Sequence, residues 1–358
     1  MRLRRRIGIG EMICPLLAVV FSLGLASCGS SREDPPDTPL AEALAELSGG
    51  GEHGSLGIGW ADPELVRRAG LGADLIADAL GSNADTVIEH AAPLRRSFGF
   101  DPLKAERLTS VGGSYAFGLR LDGVPGGGVS EALARAGGRS QRTGELELVD
   151  IGAWAVMPEP LLRLGVRLGA RDAFGPDVTV LAISAMDRAR LLGRGERMLE
   201  QPIYRAAADC LGDVVAARMI PERLLLSTEF GVDLIALGIR ADRREVLCVL
   251  GGTSERADET AHALEGSLAS NAREPRTGQS IAELIAEADV ASSRYEGVEV
   301  VRAELTPAPG QPPGFLFASV ARGSVVELIV GRDAAKRALI AMSRCSGSSP
   351  STAVESVA

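Results

Sequence analysis

Apolar and polar positions along the chain alternate between two periods, and the switches between them outline the elements. Residues 39–47 place leucines and alanines at helical spacing behind Thr38, a residue type that caps helix N-termini. Residues 56–60 read as a first strand. A helical pattern then runs from Asp62 to about Leu80, and another from Asp85 to Arg96. Asp62-Pro63 and Asp101-Pro102 repeat one device, a capping carboxylate followed by a proline harmless in the first turn. The second predicts a helix over 103–108. Both aspartates are read as caps before they are read as catalytic groups.

Alternating or continuous apolar runs predict strands over 115–122, 145–149, 154–157 and 178–183, with helices over 129–136 and 185–192. The helical pattern of residues 203–209 leads to Cys210. Strands over 232–240 and 245–250, joined by Ala-Asp-Arg-Arg, form a hairpin candidate. A helix starts at Thr253 or Ser254 and runs to about Ala269. Ser280 and Glu283 form a capping-box signature for a helix over 281–288. Strands over 298–305, 314–320 and 324–330 and a helix over 333–342 complete the pattern. This order predicts an α+β fold: two lobes of mostly antiparallel sheet backed by helices, read as a duplicated β-α-β-β unit. The expected lobes are residues 39–175 and 176–342, followed by a Ser-rich, disordered tail over 343–358.

Composition narrows the function classes. Hydrophobic residues make up 46% of the 358 positions and aromatics only 4%, so an aliphatic core is available while a sugar-stacking surface is not favoured. Lys104 and Lys336 are the only lysines, so the basic residues are almost all arginine. With the abundant Ala and Gly, that points to a high-GC genome such as an actinobacterium's. The net charge is −9. An acidic protein is a poor partner for nucleic acid, whose binding rests on neutralising phosphates.

The N-terminus carries an address. Arg2, Arg4, Arg5 and Arg6 precede an apolar run from Ile13 to Ala26, which ends in Leu25-Ala26-Ser27-Cys28. The run suits a signal h-region and is short of the ~20 residues that span a bilayer as a helix. The segment resembles a bacterial lipoprotein signal peptide with its lipobox. That resemblance implies cleavage after residue 27 and lipid attachment to the Cys28 thiol. It also implies a mature protein anchored on the extracytoplasmic face of the cell membrane. Residues 28–38, polar and Pro-rich, would serve as a flexible tether. Without residues 1–27 the chain has 34 basic and 46 acidic residues, a net charge of −12. The stretch 199–207, Leu-x-x-Pro-x-Tyr-Arg-Ala-Ala, resembles an uncharacterised class of exported bacterial proteins with repeated α+β units. That likeness implies architecture and no activity.

Lipidation of Cys28 and loss of Cys14 with the signal leave three cysteines in an oxidising compartment. Cys248 lies in an apolar run and fits as plain core, while Cys345 in the Ser-rich tail is better explained as a staple. Cys210–Cys345 is therefore the expected disulfide, Cys210–Cys248 the alternative, and no bridge the third option.

The search for chemistry finds no local mark. His53, His90 and His262 have no partner at metal-ligand spacing, so no metal is expected. Gly126-Gly-Gly128 lacks the spacing of a phosphate cradle, and no nucleophile or NTPase motif is present, so no cofactor is expected. Arg188, Arg190, Arg194 and Arg197 are interspersed with acids and read as a solvated mixed-charge face. Trp60 and Trp154 read as core anchors. The expectation is a lipid-anchored envelope protein, not an enzyme, that binds an envelope partner or an apolar small molecule. An envelope hydrolase with a scattered Ser/His/carboxylate site is one alternative. A solute-binding lipoprotein of a transporter is another.

Overall fold

The computed structural model describes residues 37–49, 57–81, 84–112, 117–126, 128–151, 171–221, 224, 231–331 and 335. The signal segment, Cys28, His53, Trp154 with its expected strand, all but Ala335 of the helix expected over 333–342, Cys345 and the tail lie outside these residues. All the elements below belong to one compact unit, Pro35–Ala358. In chain order they begin α1 (Pro39–Glu46), β1 (Gly57–Ala61), α2 (Pro63–Arg68), α3 (Ala73–Leu80), α4 (Ala84–Glu89) and α5 (Ala91–Phe98). Then come β2 (Arg107–Gly112), β3 (Phe117–Asp122), α6 (Gly128–Arg135), β4 (Arg139–Thr143), β5 (Leu146–Asp150), β6 (Arg171–Phe174) and β7 (Val178–Ala182). After these follow α7 (Ala185–Leu191), α8 (Pro202–Leu211), β8 (Val214–Pro221), β9 (Leu234–Arg240) and β10 (Glu245–Leu250). The last are α9 (Ser254–Leu268), α10 (Ile281–Leu284), β11 (Ile285–Tyr295), β12 (Val298–Pro307), α11 (Phe315–Ala321) and α12 (Val325–Val330).

The fold is α+β. Twelve strands form one sheet in the order β11-β12-β10-β9-β8-β1-β2-β3-β7-β6-β5-β4, and every pairing is antiparallel. Outward from the central β1–β8 pair the order repeats: β1-β2-β3-β7-β6 on one side and β8-β9-β10-β12-β11 on the other. The stretches expected as lobes, 39–175 and 176–342, are thus continuous through one sheet. The hairpin between β6 and β7 straddles residues 175 and 176, with Ala173 opposite Val180. The change-over between strand sets comes instead at β1–β8, where Trp60 faces Ala217.

Helices cover both faces, so the central strands are apolar on both sides. In β9, Leu234 and Ala236 join one buried cluster while Ile235 and Leu237 join the other. The first cluster is covered by α1, α7 and α8, and the second by α2–α6, α9, α11 and α12. Close packing at the centre depends on Gly59. A Cβ there would sit 2.5 Å from the Ala79 carbonyl oxygen and from Leu80 Cα, where the end of α3 rests on the sheet. Ser110 Oγ donates to the Leu80 carbonyl at 2.6 Å and holds that contact.

Several local expectations hold for the reasons given. Asp62 accepts from the Leu65 amide at 2.8 Å and Asp101 from the Leu103 amide at 3.2 Å, so both are caps. Thr38 caps α1, and residues 241–244 turn the β9–β10 hairpin. Trp60 is core, at 1% exposure.

Others give way to tertiary context. The helix expected over 103–108 is a single 3-10 turn, Pro102–Lys104, after which β2 is drawn between β1 and β3. The helix expected over 281–288 stops at Leu284, where β11 begins. A two-residue turn at Glu296-Gly297, both with positive φ, closes the β11–β12 hairpin and overrides the helical pattern. The strands expected over 314–320 and 324–330 are helices α11 and α12. The buried carboxylate of Glu245, at the start of β10, accepts from the amides of Gly314, Phe315 and Leu316 at 2.7, 2.9 and 2.8 Å. It caps α11 from the sheet face that this helix covers, a long-range signal that an apolar run cannot display.

The disulfide expectation is corrected. Cys210 is bonded to Cys248, not to Cys345, across a sequence separation of 38. Cys248 is therefore not plain core. Its side chain points to the face that α8 covers, directly beneath the last turn of that helix. The arginine cluster is corrected as well. Arg190 is buried against Asp187 at 3.2 Å, and Arg188 bonds Asp150 at 2.7 Å, so these two belong to the interior of a helix–sheet contact rather than to a solvated face.

Candidate functional site

A cavity of about 610 Å³ opens where three strand ends meet one helix start. Its volume is in the range of small-molecule sites. The start of β9, the end of β10 and the start of β12 lie side by side, because Leu250 faces Leu234 on one flank and Val300 on the other. The N-terminus of α8 closes over them. The disulfide fixes this helix to β10 near its far end, so two walls of the cavity belong to covalently linked elements.

The floor is buried and mainly apolar: Tyr204, Val232 and Leu234 are 3%, 5% and 1% exposed. Gln201, the residue that caps α8, is 6% exposed and lines the same floor. Its amide nitrogen packs against the backbone at Gly49, where a Cβ would sit 2.2 Å from it. The rim is acidic. Glu196, Glu200 and Asp233 line it and are exposed, and Glu299 lines it half-buried. None of the lining residues is basic.

Backbone conformation sets the position of Asp233. Its amide donates to the Leu250 carbonyl at 2.8 Å, which brings it beside Gly251. Gly251 and Gly252 have φ of 98° and 80°. A Cβ on Gly251 would collide with the Asp233 carboxylate, and one on Gly252 with the Gly231 carbonyl. Two glycines are needed here both for the left-handed backbone and for the space it leaves to that carboxylate.

The carboxylates differ in their partners. Glu299 accepts from Ser254 Oγ at 2.7 Å and lies 3.4 Å from Arg294 Nε. Arg205, buried under the rim, is held by Glu296 at 3.1 Å and by the Glu200 backbone carbonyl at 3.2 Å. Glu196, Glu200 and Asp233 have no ion-pair partner among the described residues. Glu200 accepts only the Arg197 amide, at 3.3 Å. Nor do these acids form a metal site: among the described residues no group of three His, Cys, Asp or Glu is gathered closely enough to hold a metal ion. The arrangement can seat a molecule with an apolar body and offer negative charge at its mouth.

The sequence-derived candidates lie elsewhere. Cys28 is outside the described residues, and Cys210 is structural. His90, between α4 and α5, has its Nδ1 2.8 Å from the Thr86 carbonyl of α4. His262 is exposed, with Glu265 of its own helix at 4.0 Å. Neither lines the cavity or meets a serine and a carboxylate together. The cavity residues themselves carried no sequence signal, since Glu196 and Glu200 sit in a stretch of alternating charge and Asp233 in a strand pattern. The Gly251-Gly252 pair directly after a buried strand is the one local mark that points to a close backbone approach. No protein-family model, curated protein or solved structure matches the chain.

Proposed function

We propose that this chain is a lipid-anchored binding protein of the cell envelope that takes a small molecule in the cavity at the α8 end of the sheet. The observation that carries the reading is the cavity: about 610 Å³, with a buried apolar floor and walls tied by a disulfide. The disulfide also supports an oxidising compartment, because such bonds persist outside the cytosol. The lipobox at 25–28 and the Pro-rich tether supply the anchor, with diacylglyceryl on Cys28. Among the described residues no helix is long and apolar enough to cross a membrane. The lipid on Cys28 would then hold the protein at the extracytoplasmic face, and the acidic body would stand off anionic headgroups.

Two measurements test the two halves of this reading. Cys28→Ala should abolish incorporation of labelled fatty acid and leave unprocessed precursor; continued labelling overturns the anchor. Native mass spectrometry of residues 29–358, purified from an envelope background, should show a bound mass that is lost on denaturation. A clean apo mass that persists across envelope extracts shifts the function to a protein partner.

A further inference from the structure

We infer that the cavity selects an organic cation, an amine or guanidinium carried on an apolar body, over a neutral or anionic molecule of the same shape. The inference rests on the reading of the cavity as a ligand site and names the class of ligand.

Charge is the first argument. Some acids of this chain are neutralised by arginine, as Asp122, Asp150, Asp187 and Glu304 are within 4 Å, and others, such as Glu287 and Asp289, have no ion pair among the described residues. At the cavity mouth, Glu196, Glu200 and Asp233 have no ion pair among the described residues. Their fields add at one opening over a low-dielectric floor, and such a cleft concentrates a counter-ion.

Gln201 is the second argument and is independent of charge. The residue is only 6% exposed, and its amide does not belong to the buried polar atoms that lack a partner among the described residues. Lining the floor of the cavity, it can meet a polar group of a bound molecule. Its carbonyl oxygen can accept from an N–H of an ammonium or guanidinium.

Shape supplies the third argument. The acids line a cavity of about 610 Å³ without forming a metal-binding cluster, and the floor between them is Tyr204, Val232 and Leu234. Dispersed acids around an apolar floor suit a cation whose charge rides on hydrocarbon, not a bare ion. The fixed position of the Asp233 carboxylate against Gly251 makes part of this recognition pre-organised.

Three probes that share a chain and differ in head charge test the inference: n-octylammonium, n-octanol and n-octanoate, titrated calorimetrically into residues 29–358 at neutral pH and low salt. This segment contains the whole compact unit from Pro35. Octylammonium should bind about tenfold tighter than octanol, as two rim ion pairs of ordinary exposed strength would give, and octanoate weakest. The double variant Glu196→Gln/Asp233→Asn, isosteric and at exposed positions, should bring octylammonium to the octanol value and leave octanol unchanged. Equal binding of the three probes, a preference for octanoate, or an ammonium advantage that survives the double variant would overturn the charge selection while leaving the site. Failure of all three probes to bind would overturn the site itself.

Discussion

Two groups of acids in this protein have the same side chains and opposite surroundings. On the sheet face near α1, Arg107 bonds Glu46 at 2.7 Å and reaches Asp122 at 3.4 Å. Arg120 bonds Asp122 at 2.8 Å, the Leu191 carbonyl at 3.0 Å, and Glu46. That network ties α1, β2, β3 and the end of α7 together, and its arginines are only 21% and 16% exposed. At the cavity mouth, Glu196, Glu200 and Asp233 are exposed and have no ion pair among the described residues, while the nearby Arg205 and Arg256 pair with Glu296 and Glu259. The first arrangement spends its charges on the fold. The second leaves them exposed at a cavity mouth. Asp172 is a third case, wholly buried: one oxygen accepts from the Ala182 amide at 3.0 Å and the other has no partner.

The comparison can be broken in graded steps. The largest effect is expected from the covalent frame of the cavity. Replacing Cys210 and Cys248 by alanine together frees a loop with a 38-residue separation, for which chain entropy gives a loss of about 3–4 kcal/mol. Urea unfolding measures it, and a loss under ~1 kcal/mol would show that the bridge does not restrain the unfolded chain. Arg120→Ala leaves Glu46 and Asp122 facing each other without this cation and should cost about 2–3 kcal/mol in the same assay. A cost near zero would mean that the network is not structural.

Gly251→Ala comes next, at about 1–2 kcal/mol, because φ is 98° and the new methyl collides with the Asp233 carboxylate. It should also reduce ligand binding, whereas the alanine at Gly266, where a Cβ meets nothing within 4 Å, should leave binding intact. Parallel titration of the two variants checks this.

The buried acid gives a pH signature. Burial holds the Asp172 carboxyl well above the usual aspartate range, with the Ala182 amide and Arg188 opposing the shift. A folded-state pKa above the unfolded one means that the native state holds the proton more tightly. The contribution of Asp172 is therefore full below the unfolded aspartate range and is lost as pH rises from there through the folded pKa. Asp172→Asn keeps an oxygen for Ala182 and cannot ionise. It should stabilise the protein at neutral pH by on the order of 1 kcal/mol and flatten that decline, measured as denaturation midpoints across pH. A steeper decline in the variant would contradict the assignment. Smallest of all is the stability change for Glu196→Gln/Asp233→Asn, expected within about 0.5 kcal/mol of the parent. A large loss there would mean that the open acids serve the fold after all.

Legibility followed range. Asp62 and Asp101 could be read as caps because a carboxylate and the amide it accepts from lie within three residues. The 241–244 hairpin and the buried β9 and β10 were readable for the same reason. β11 was not, since an edge strand with most of its residues exposed lacks the apolar alternation that marks a strand. Helices α11 and α12 were missed because a short apolar run is equally at home in a buried helix, and the cap that decides the matter, Glu245, is about 70 residues away. None of the acids of the cavity could be singled out. Openness to solvent is a property of three strand ends and a helix start brought together, and charge alternation around Glu196 looks like any hydrated surface.

The sequence by itself determined the α+β class, strands β9, β10 and β12, and the helix caps at Thr38, Asp62 and Asp101, since each rests on patterns within one turn or one strand. Tertiary structure alone decided that both halves share a single twelve-stranded sheet, that Cys210 meets Cys248, that α11 is a helix, and which acids keep an arginine. Those outcomes depend on which distant segments become neighbours. A hydrogen bond, a disulfide or an ion pair acts over a few ångströms of space, and no local pattern records which part of the chain will arrive there.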